Sequence, residues 1–121
     1  EALAQGLARA PRAPIRDLIA LDVAFHTAIH RLSGNDAIAA TVGSQWPHFM
    51  RSMRLSLENA AVRTRVWAEH ATILDAVLTG NASKASDLAR THTLGAGEQT
   101  AGDLERREQD FFDRVRKGRE P

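Results

Sequence analysis

Apolar residues recur every three to four positions along most of the chain, which is the spacing of an amphipathic α-helix. No stretch alternates apolar and polar residues in the way that a half-buried β-strand does. The residues before position 14 are rich in alanine and predict a short helix or a loose arm. The pattern as a whole predicts an all-α fold, an antiparallel helix bundle, with helices over about 14–32, 36–59, 62–79 and 82–94 and an amphipathic segment over about 103–117.

Glycine, asparagine and proline residues predict where these helices end, begin and bend. Gly34 and Gly80 are predicted to end two helices, and Asn35 and Asn81 to cap the helices that follow. Pro47 lies inside the second helix, where a kink is expected because proline cannot donate the interior hydrogen bond. Three further glycines, at positions 95, 97 and 102, are expected to separate the fourth helix from the last segment.

Each helix has a stripe of apolar residues that is expected to face the core. In the first helix the stripe runs from Ile15 to Leu32. In the second helix the predicted inward residues are Ile38, Val42, Trp46, Phe49, Met50, Met53 and Leu57. In the last segment Phe111, Phe112 and Val115 could either fold back on the bundle or add to a dimer contact.

The composition limits the classes of protein that fit. The 121 residues suit a single domain, 1–121. The absence of cysteine excludes disulfides, thiolate metal sites and cysteine nucleophiles. A formal net charge of +1 argues against nucleic-acid binding by this chain alone. The longest stretch without acidic or basic residues, Ala37–Met50, is too short to span a membrane.

Four polar residues lie where the apolar stripes predict core positions. Asp22 and His26 stand four residues apart on the inward face of the first helix, so they stack on one side. His70 falls between Trp67 and Ile73 in the third helix, and His92 shares the face of two alanines in the fourth. Buried charges are normally paired or bound to metal. Three imidazoles and one carboxylate form a suitable set for Zn, Ni, Mn or Fe.

The same residues allow less specific interpretations. A single histidine on an apolar face is commonly a satisfied core residue, and Asp22 with His26 could be a hydrogen-bonded pair on a helix surface. Glu69 is expected at the surface, with a hydrogen bond to a metal ligand as the alternative. His30 is a candidate ligand-binding residue at the rim of the site. Arg54 is a candidate partner for an anionic ligand, although the arginines near it are also typical of a solvated face.

Three blocks of sequence resemble the FCD domain, the effector-binding C-terminal part of GntR-family transcription regulators of the FadR type. Asp22 to Asn35 fits D-x-x-F-H-x-x-I-x-x-x-S-G-N. Glu69 to Asn81 resembles E-H-x-x-I-x-x-A-I-x-x-G-D, with Asn81 in place of Asp. Ala85 to His92 resembles the A-x-x-x-M-x-x-H ending. The resemblance covers a core of about 15–94.

The resemblance implies an FCD-type helical bundle that senses a small organic acid in a cytoplasmic bacterial regulator. It implies that Asp22, His26, His70 and His92 hold a divalent metal. It also implies a homodimer, and contact with DNA only through a winged helix-turn-helix domain that this chain does not contain. The first helix of the FCD domain is expected to be missing or reduced to the residues before Ala10.

Two other functions fit the same residues. One is a metal-dependent enzyme on a helical bundle with three histidines, similar to DinB-like proteins, in which the metal would activate a water or a thiol. The other is a structural bundle with unusually polar core positions. A sensor, and not an enzyme, is the favoured interpretation because no obvious acid or base residue for catalysis stands near the predicted metal ligands.

Overall fold

The computed structural model describes residues 1–118, and these form an all-α bundle without β-strands. The predicted fold class is confirmed. The five helices are α1 (Ala2–Arg9), α2 (Ile15–Arg31), α3 (Asp36–Ser56), α4 (Ala60–Leu78) and α5 (Ala82–Lys117).

The predicted helix boundaries at glycine and asparagine are confirmed. Gly34 and Gly80 adopt φ angles of +67° and +70°, a region that favours glycine because it lacks a Cβ atom. The side chains of Asn35 and Asn81 each accept a hydrogen bond from a backbone N–H in the first turn of the next helix, at 3.0 and 3.1 Å. These two connections reverse the chain between α2 and α3 and between α4 and α5.

The apolar core lies where α1, α2 and α4 meet. Trp67 of α4 is 1% exposed and packs in one cluster with Leu18 and Ile19 of α2. Gly6 of α1 lies so close to the Trp67 indole that a Cβ atom there would overlap the ring. The short α1 therefore closes one side of the core, and its glycine permits the close approach.

The predicted break after Leu94 is wrong, because α5 continues as one helix of 36 residues through the glycines at 95, 97 and 102. Glycine lowers helix propensity by about 1 kcal/mol, but it keeps the N–H that the helix needs. Contacts to other helices support this stretch, including a 3.2 Å hydrogen bond between Thr100 and Ser56 of α3. Neither α5 nor any other helix within residues 1–118 is long and apolar enough to cross a membrane.

The prediction that the apolar stripe of the second helix faces the core is confirmed only in part, because Leu57 is buried in the core and Met53 packs against it, whereas three other residues of the stripe are exposed. Ile38, Phe49 and Met50 are 42–44% exposed, and Leu32 at the end of α2 is 68% exposed. The helix itself passes through Pro47 without ending. Helix α3 makes its main contacts with α2 and α5. Within residues 1–118 its remaining surface has no helix over it, so a periodic apolar pattern here does not correspond to burial.

Candidate metal centre

Helix α2 supplies an acid and a base to one side of a buried cluster. Asp22 is 4% exposed, and its Oδ1 lies 3.4 Å from Nε2 of His26, one helical turn further on. The His26 side chain remains 21% exposed. Spacing of four residues stacks the two groups on the inward face, as the sequence predicts.

Helix α4 adds His70, which is fully buried. Its ring stacks on Phe25 with 4.4 Å between ring centres, and the Trp67 indole meets it edge-on at 4.9 Å. Its Nε2 lies 3.7 Å from Oδ2 of Asp22. The two aromatic rings fix the orientation of the imidazole and direct this nitrogen towards the carboxylate.

Helix α5 adds His92, whose Nε2 lies 3.3 Å from Nε2 of His70. Nδ1 of His92 donates a hydrogen bond of 2.7 Å to Oε2 of Glu69. The imidazole thereby keeps a lone pair on Nε2, the atom that points into the cluster. Glu69 was expected at the surface, but it is half-buried and holds His92, while Arg65 lies 3.8 Å from its other oxygen.

The separations within this cluster fit a common ion. The ligating nitrogens of His26, His70 and His92 all lie within 4.8 Å of one another. Adjacent ligands at about 2.0–2.2 Å from one metal lie roughly 3.0–3.5 Å apart in tetrahedral or octahedral geometry. The contacts of 3.3 and 3.4 Å described above fall in that range, and the 3.7 Å between His70 and Asp22 lies slightly above it. Asp22 lies beside this group of three histidines, with its carboxylate oxygens 3.4 Å from Nε2 of His26 and 3.7 Å from Nε2 of His70.

Two buried polar atoms have no hydrogen-bond partner among the described residues, Oδ1 of Asp22 and Nδ1 of His70. An unsatisfied buried polar atom costs about 1–3 kcal/mol. A cation beside the Asp22 carboxylate would compensate the loss of hydration at its oxygen. The donor set and this unpartnered oxygen therefore both fit a divalent metal.

Burial shifts the ionisation of the same groups. Loss of hydration raises the pKa of Asp22 from 3.8 to about 7. Loss of hydration lowers the pKa of His26 to about 4, helped by repulsion from His92 and His30. It lowers the pKa of His70 to about 2, helped by repulsion from His26 and His92. At neutral pH, His26 and His70 therefore carry the neutral form that metal coordination requires.

The other two histidines lie apart from this cluster. The ring of His30 is half-buried, and its centre lies 6.3 Å from that of His26, at the rim that the sequence predicts. His48 is exposed and hydrogen-bonded to Arg51. His30 can meet a molecule that approaches His26, and His48 cannot serve the cluster.

Arg54 lies away from the histidine cluster. It lines a groove of about 590 Å³ between the N-terminal end of α2 and the C-terminal end of α3. The groove also contains Arg16, Arg51 and Glu58, and none of the four candidate metal ligands lines it. Its role in ligand binding stays a prediction, and the structure gives it no contact with the metal cluster.

Residues 1–95 match the model of the FCD domain family, which is more than three-quarters of the chain. An uncharacterized HTH-type transcriptional regulator in an unstable DNA locus of Streptomyces ambofaciens is 35% identical over 78 residues. The match covers 64% of this chain and 33% of that protein, so the chain spans about a third of its relative. No solved structure matches. The matched region includes all four residues of the cluster, and the chain belongs to the FCD domain family.

Proposed function

We propose that this chain is the effector-sensing part of a bacterial transcription regulator. In this proposal Asp22, His26, His70 and His92 hold one divalent metal, and a small organic acid binds at that metal. The observation that carries the proposal is the convergence of three ligating nitrogens, from three helices, within 4.8 Å of one another.

Family membership and the HTH-type relative favour a sensor over the metal-dependent enzyme that the residues also allow. Contact with DNA would belong to a separate domain of the whole protein, which fits the net charge of +1 on this chain. A regulator of this kind would work in the cytoplasm, where its DNA is.

The donor set defines the metals that fit. Imidazole and carboxylate suit Zn, Ni, Mn and Fe, and hard cations such as Mg are poor partners for three imidazoles. When bound, the metal would supply a Lewis-acidic centre for a carboxylate oxygen. Four protein ligands leave one or two positions open in a five- or six-coordinate site.

The small organic acid would approach the metal cluster at His26. This is the one imidazole of the three that keeps substantial exposure, 21% of its side chain. The ring centre of Trp46 lies 6.2 Å from that of His26, and the ring centre of His30 lies 6.3 Å from it. An aromatic face and an imidazole at the opening can hold the body and a second oxygen of a small carboxylate.

The position of the cluster also suits a sensor. Its ligands come from α2, α4 and α5, so any change in their separation changes how these helices pack. A ligand that draws the groups together shifts the population of helix arrangements by its difference in affinity between them. Such a shift could reach a DNA-binding domain through the helices themselves.

The test of metal binding starts from protein stripped with a chelator. Titration with Zn, Ni or Mn, followed by calorimetry and elemental analysis, is expected to give one ion per chain. His92→Ala removes one ligand and should weaken binding at least tenfold. His48→Ala removes an exposed imidazole outside the cluster and should leave binding unchanged. Equal binding by both variants would place the metal elsewhere.

The test of effector binding uses the same protein with and without metal. Small mono- and dicarboxylates are screened by thermal shift and by calorimetry. An acid that binds at the metal should stabilise the loaded protein and leave the stripped protein unchanged. Equal stabilisation of both forms would show that the metal is not the anchor, and the groove around Arg54 would become the candidate.

The proposal includes a homodimer. Regulators that read two half-sites of DNA need two-fold symmetry. The dimer is independent of the metal, so loss of either property leaves the other measurable.

A further inference from the structure

We propose that Glu69, acting through His92, holds the proton of neutral His70 on Nε2, the nitrogen that the candidate metal site needs free. Glu69 is then a positioning residue that prepares one metal ligand and holds back another. Its effect on metal binding rests on the proposed function. Its effect on the two imidazoles exists in the metal-free chain and can be measured there.

Glu69 acts first on His92. An ionised carboxylate can only accept hydrogen bonds, so the 2.7 Å contact between Oε2 of Glu69 and Nδ1 of His92 requires a proton on that nitrogen. Arg65 lies 3.8 Å from the other oxygen of Glu69 and holds the carboxylate from that side. In its neutral form His92 therefore has a bare Nε2.

His70 faces this bare nitrogen inside the bundle. Its Nε2 lies 3.3 Å from Nε2 of His92, and both side chains are buried. Two lone pairs at this distance repel each other, whereas a proton on Nε2 of His70 turns the contact into a hydrogen bond. The other tautomer would put the proton on Nδ1, which has no hydrogen-bond partner within residues 1–118. Both observations place the proton of neutral His70 on Nε2.

The remaining neighbours of His70 agree with this assignment. Oδ2 of Asp22 lies 3.7 Å from Nε2 of His70, which is too long for a hydrogen bond, but an oxygen there favours an N–H over a lone pair. The stacked Phe25 ring and the edge-on Trp67 indole hold the imidazole in one orientation. Nε2 of His70 therefore faces the cluster whichever nitrogen carries the proton.

The two histidines differ in what metal binding asks of them. Coordination through Nε2 needs a lone pair on that atom. His92 has it already, because Glu69 keeps the proton on Nδ1. His70 must release a proton from Nε2 and take one up on Nδ1, which leaves its charge unchanged but removes its hydrogen bond to His92. The proton of His70 should therefore change position when metal binds, and that of His92 should not.

The metal-free chain tests the two proton positions directly. Long-range proton–nitrogen correlation spectra distinguish the tautomers of neutral imidazoles, and they are recorded at about pH 8, above the ordinary histidine pKa of about 6.5. Single histidine variants assign the signals. We expect the proton of His92 on Nδ1 and that of His70 on Nε2. A proton on Nε2 of His92, or on Nδ1 of His70, would overturn the proposal.

Glu69→Ala separates this role from simple packing. Without the carboxylate, Nδ1 of His92 loses its acceptor, so the form of His92 with a proton on Nε2 should gain population and donate to His70. The proton of His70 should then shift towards Nδ1 in the same variant. Glu98→Ala, which removes an exposed glutamate of α5, should leave both histidines unchanged. Unchanged tautomers in Glu69→Ala, or a change at His92 alone, would contradict the coupling.

Zinc affinity, measured by calorimetry on stripped protein, is the second test. Glu69→Gln keeps the size of the side chain, but its amide can donate to Nδ1 of His92 and so favour the proton on Nε2. Zinc binding should weaken by about ten- to a hundredfold. Glu98→Gln makes the same change of charge outside the cluster and should bind zinc as the natural chain does. Equal affinity in Glu69→Gln and the natural chain would overturn the proposal.

Spectra of the zinc-loaded chain complete the experiment. Zinc should move the proton of His70 to Nδ1 and leave that of His92 in place, and a proton that stays on Nε2 of His70 would overturn the proposal. Circular dichroism checks that the Glu69 variants keep their helices. A natural chain that binds no metal would contradict the proposed function, while the spectra of the metal-free chain would still decide the role of Glu69.

Discussion

The metal cluster and the C-terminal half of α5 depart from ordinary burial in opposite directions. His70 is fully buried and its Nδ1 has no hydrogen-bond partner within residues 1–118, whereas Phe111 is 56% exposed on a helix surface. The two regions share one helix, since His92 and Phe111 both belong to α5. A buried polar group and an exposed large apolar group are the two informative exceptions to burial. The first is the feature on which the proposed metal site rests, and the second leaves one face of α5 uncovered within residues 1–118.

The difference lies in what surrounds each segment. Near His92, α5 packs on α4, and Glu69 and His70 fill its inner face. Beyond Arg107 no side chain of another helix forms a hydrogen bond or ion pair with α5 within residues 1–118. The energetic consequences of the two regions therefore differ, and substitutions can compare them.

The largest expected effect comes from matched truncation of two aromatic side chains. Trp67→Ala removes the largest side chain of the core and the ring that holds His70, so it should lower the free energy of unfolding by about 3–5 kcal/mol. Phe111→Ala removes an exposed side chain and should change it by less than about 0.5 kcal/mol at concentrations where the chain is monomeric. Urea denaturation measures both values.

A loss of several kcal/mol in Phe111→Ala under these conditions would show that the last part of α5 packs on its own bundle. A small loss of unfolding free energy in Trp67→Ala would contradict the assignment of Trp67 to the core.

Added metal is expected to raise the free energy of unfolding through the histidine cluster and not through the C-terminal half of α5. At a free metal concentration 100 times the Kd, binding to the folded state adds about 2.7 kcal/mol to the free energy of unfolding. Chelation should remove this amount from the natural chain. Because His26→Ala destroys a candidate ligand, it should make the melting temperature insensitive to metal.

Leu104→Ala is the matched control in the second region, where truncation should leave the metal-dependent rise in melting temperature intact. A metal-dependent rise that persists in His26→Ala would show binding outside the cluster.

The sequence predicts the cluster better than it predicts the packing of α3. Asp22 and His26 are tied by helical spacing, and His70 and His92 stand out because they interrupt apolar stripes. These signals depend on position within one helix. Whether the stripe of α3 is covered depends on which helices lie beside it, and that information is not contained in a local pattern. Phe49 and Met50 are exposed for this reason.

The role of Glu69 and the length of α5 required the tertiary structure. Glu69 precedes His70 and so points to a neighbouring face, and only the approach of α5 turns that face towards His92. Gly95, Gly97 and Gly102 weaken helix propensity, but none of them is followed by a proline that would end the helix. Contacts with other helices decided the outcome at this point.

The stability of the metal-free protein should rise with pH between about pH 4 and 6.5. His26 and His70 have pKa values lowered to about 4 and about 2, so in this range the unfolded chain holds their protons and the folded chain does not. Asp22, with its pKa raised to about 7, acts oppositely, because the folded chain keeps one proton that the unfolded chain has released. The two histidines and the aspartate thus oppose each other, and the unfolded chain binds one proton more than the folded chain. The free energy of unfolding should therefore rise by at most about 1.4 kcal/mol per pH unit.

Asp22→Asn removes the opposing contribution and should steepen this slope. Urea denaturation across the range in a chelating buffer measures both proteins. A slope of the natural chain that falls with pH, or that is unchanged in the variant, would contradict the ionisation states assigned to the cluster.

The smallest expected effect concerns the junction between the two regions of α5. Gly97 is exposed within the helix and has open space around its Cα, so Gly97→Ala adds a methyl group without a clash. Alanine restricts the unfolded chain and favours the helix, and the free energy of unfolding should rise by about 0.5–1 kcal/mol. Gly34→Ala also meets open space, but its φ of +67° disfavours a side chain, so stability should fall. Thermal denaturation of the two variants compares them directly. Stabilisation by Gly97→Ala would show that the junction is helical in solution, so that α5 runs as one continuous helix from the buried cluster to the exposed apolar residues. Destabilisation by Gly97→Ala would show that the chain bends there, and the two regions of α5 would then have to be treated as separate elements.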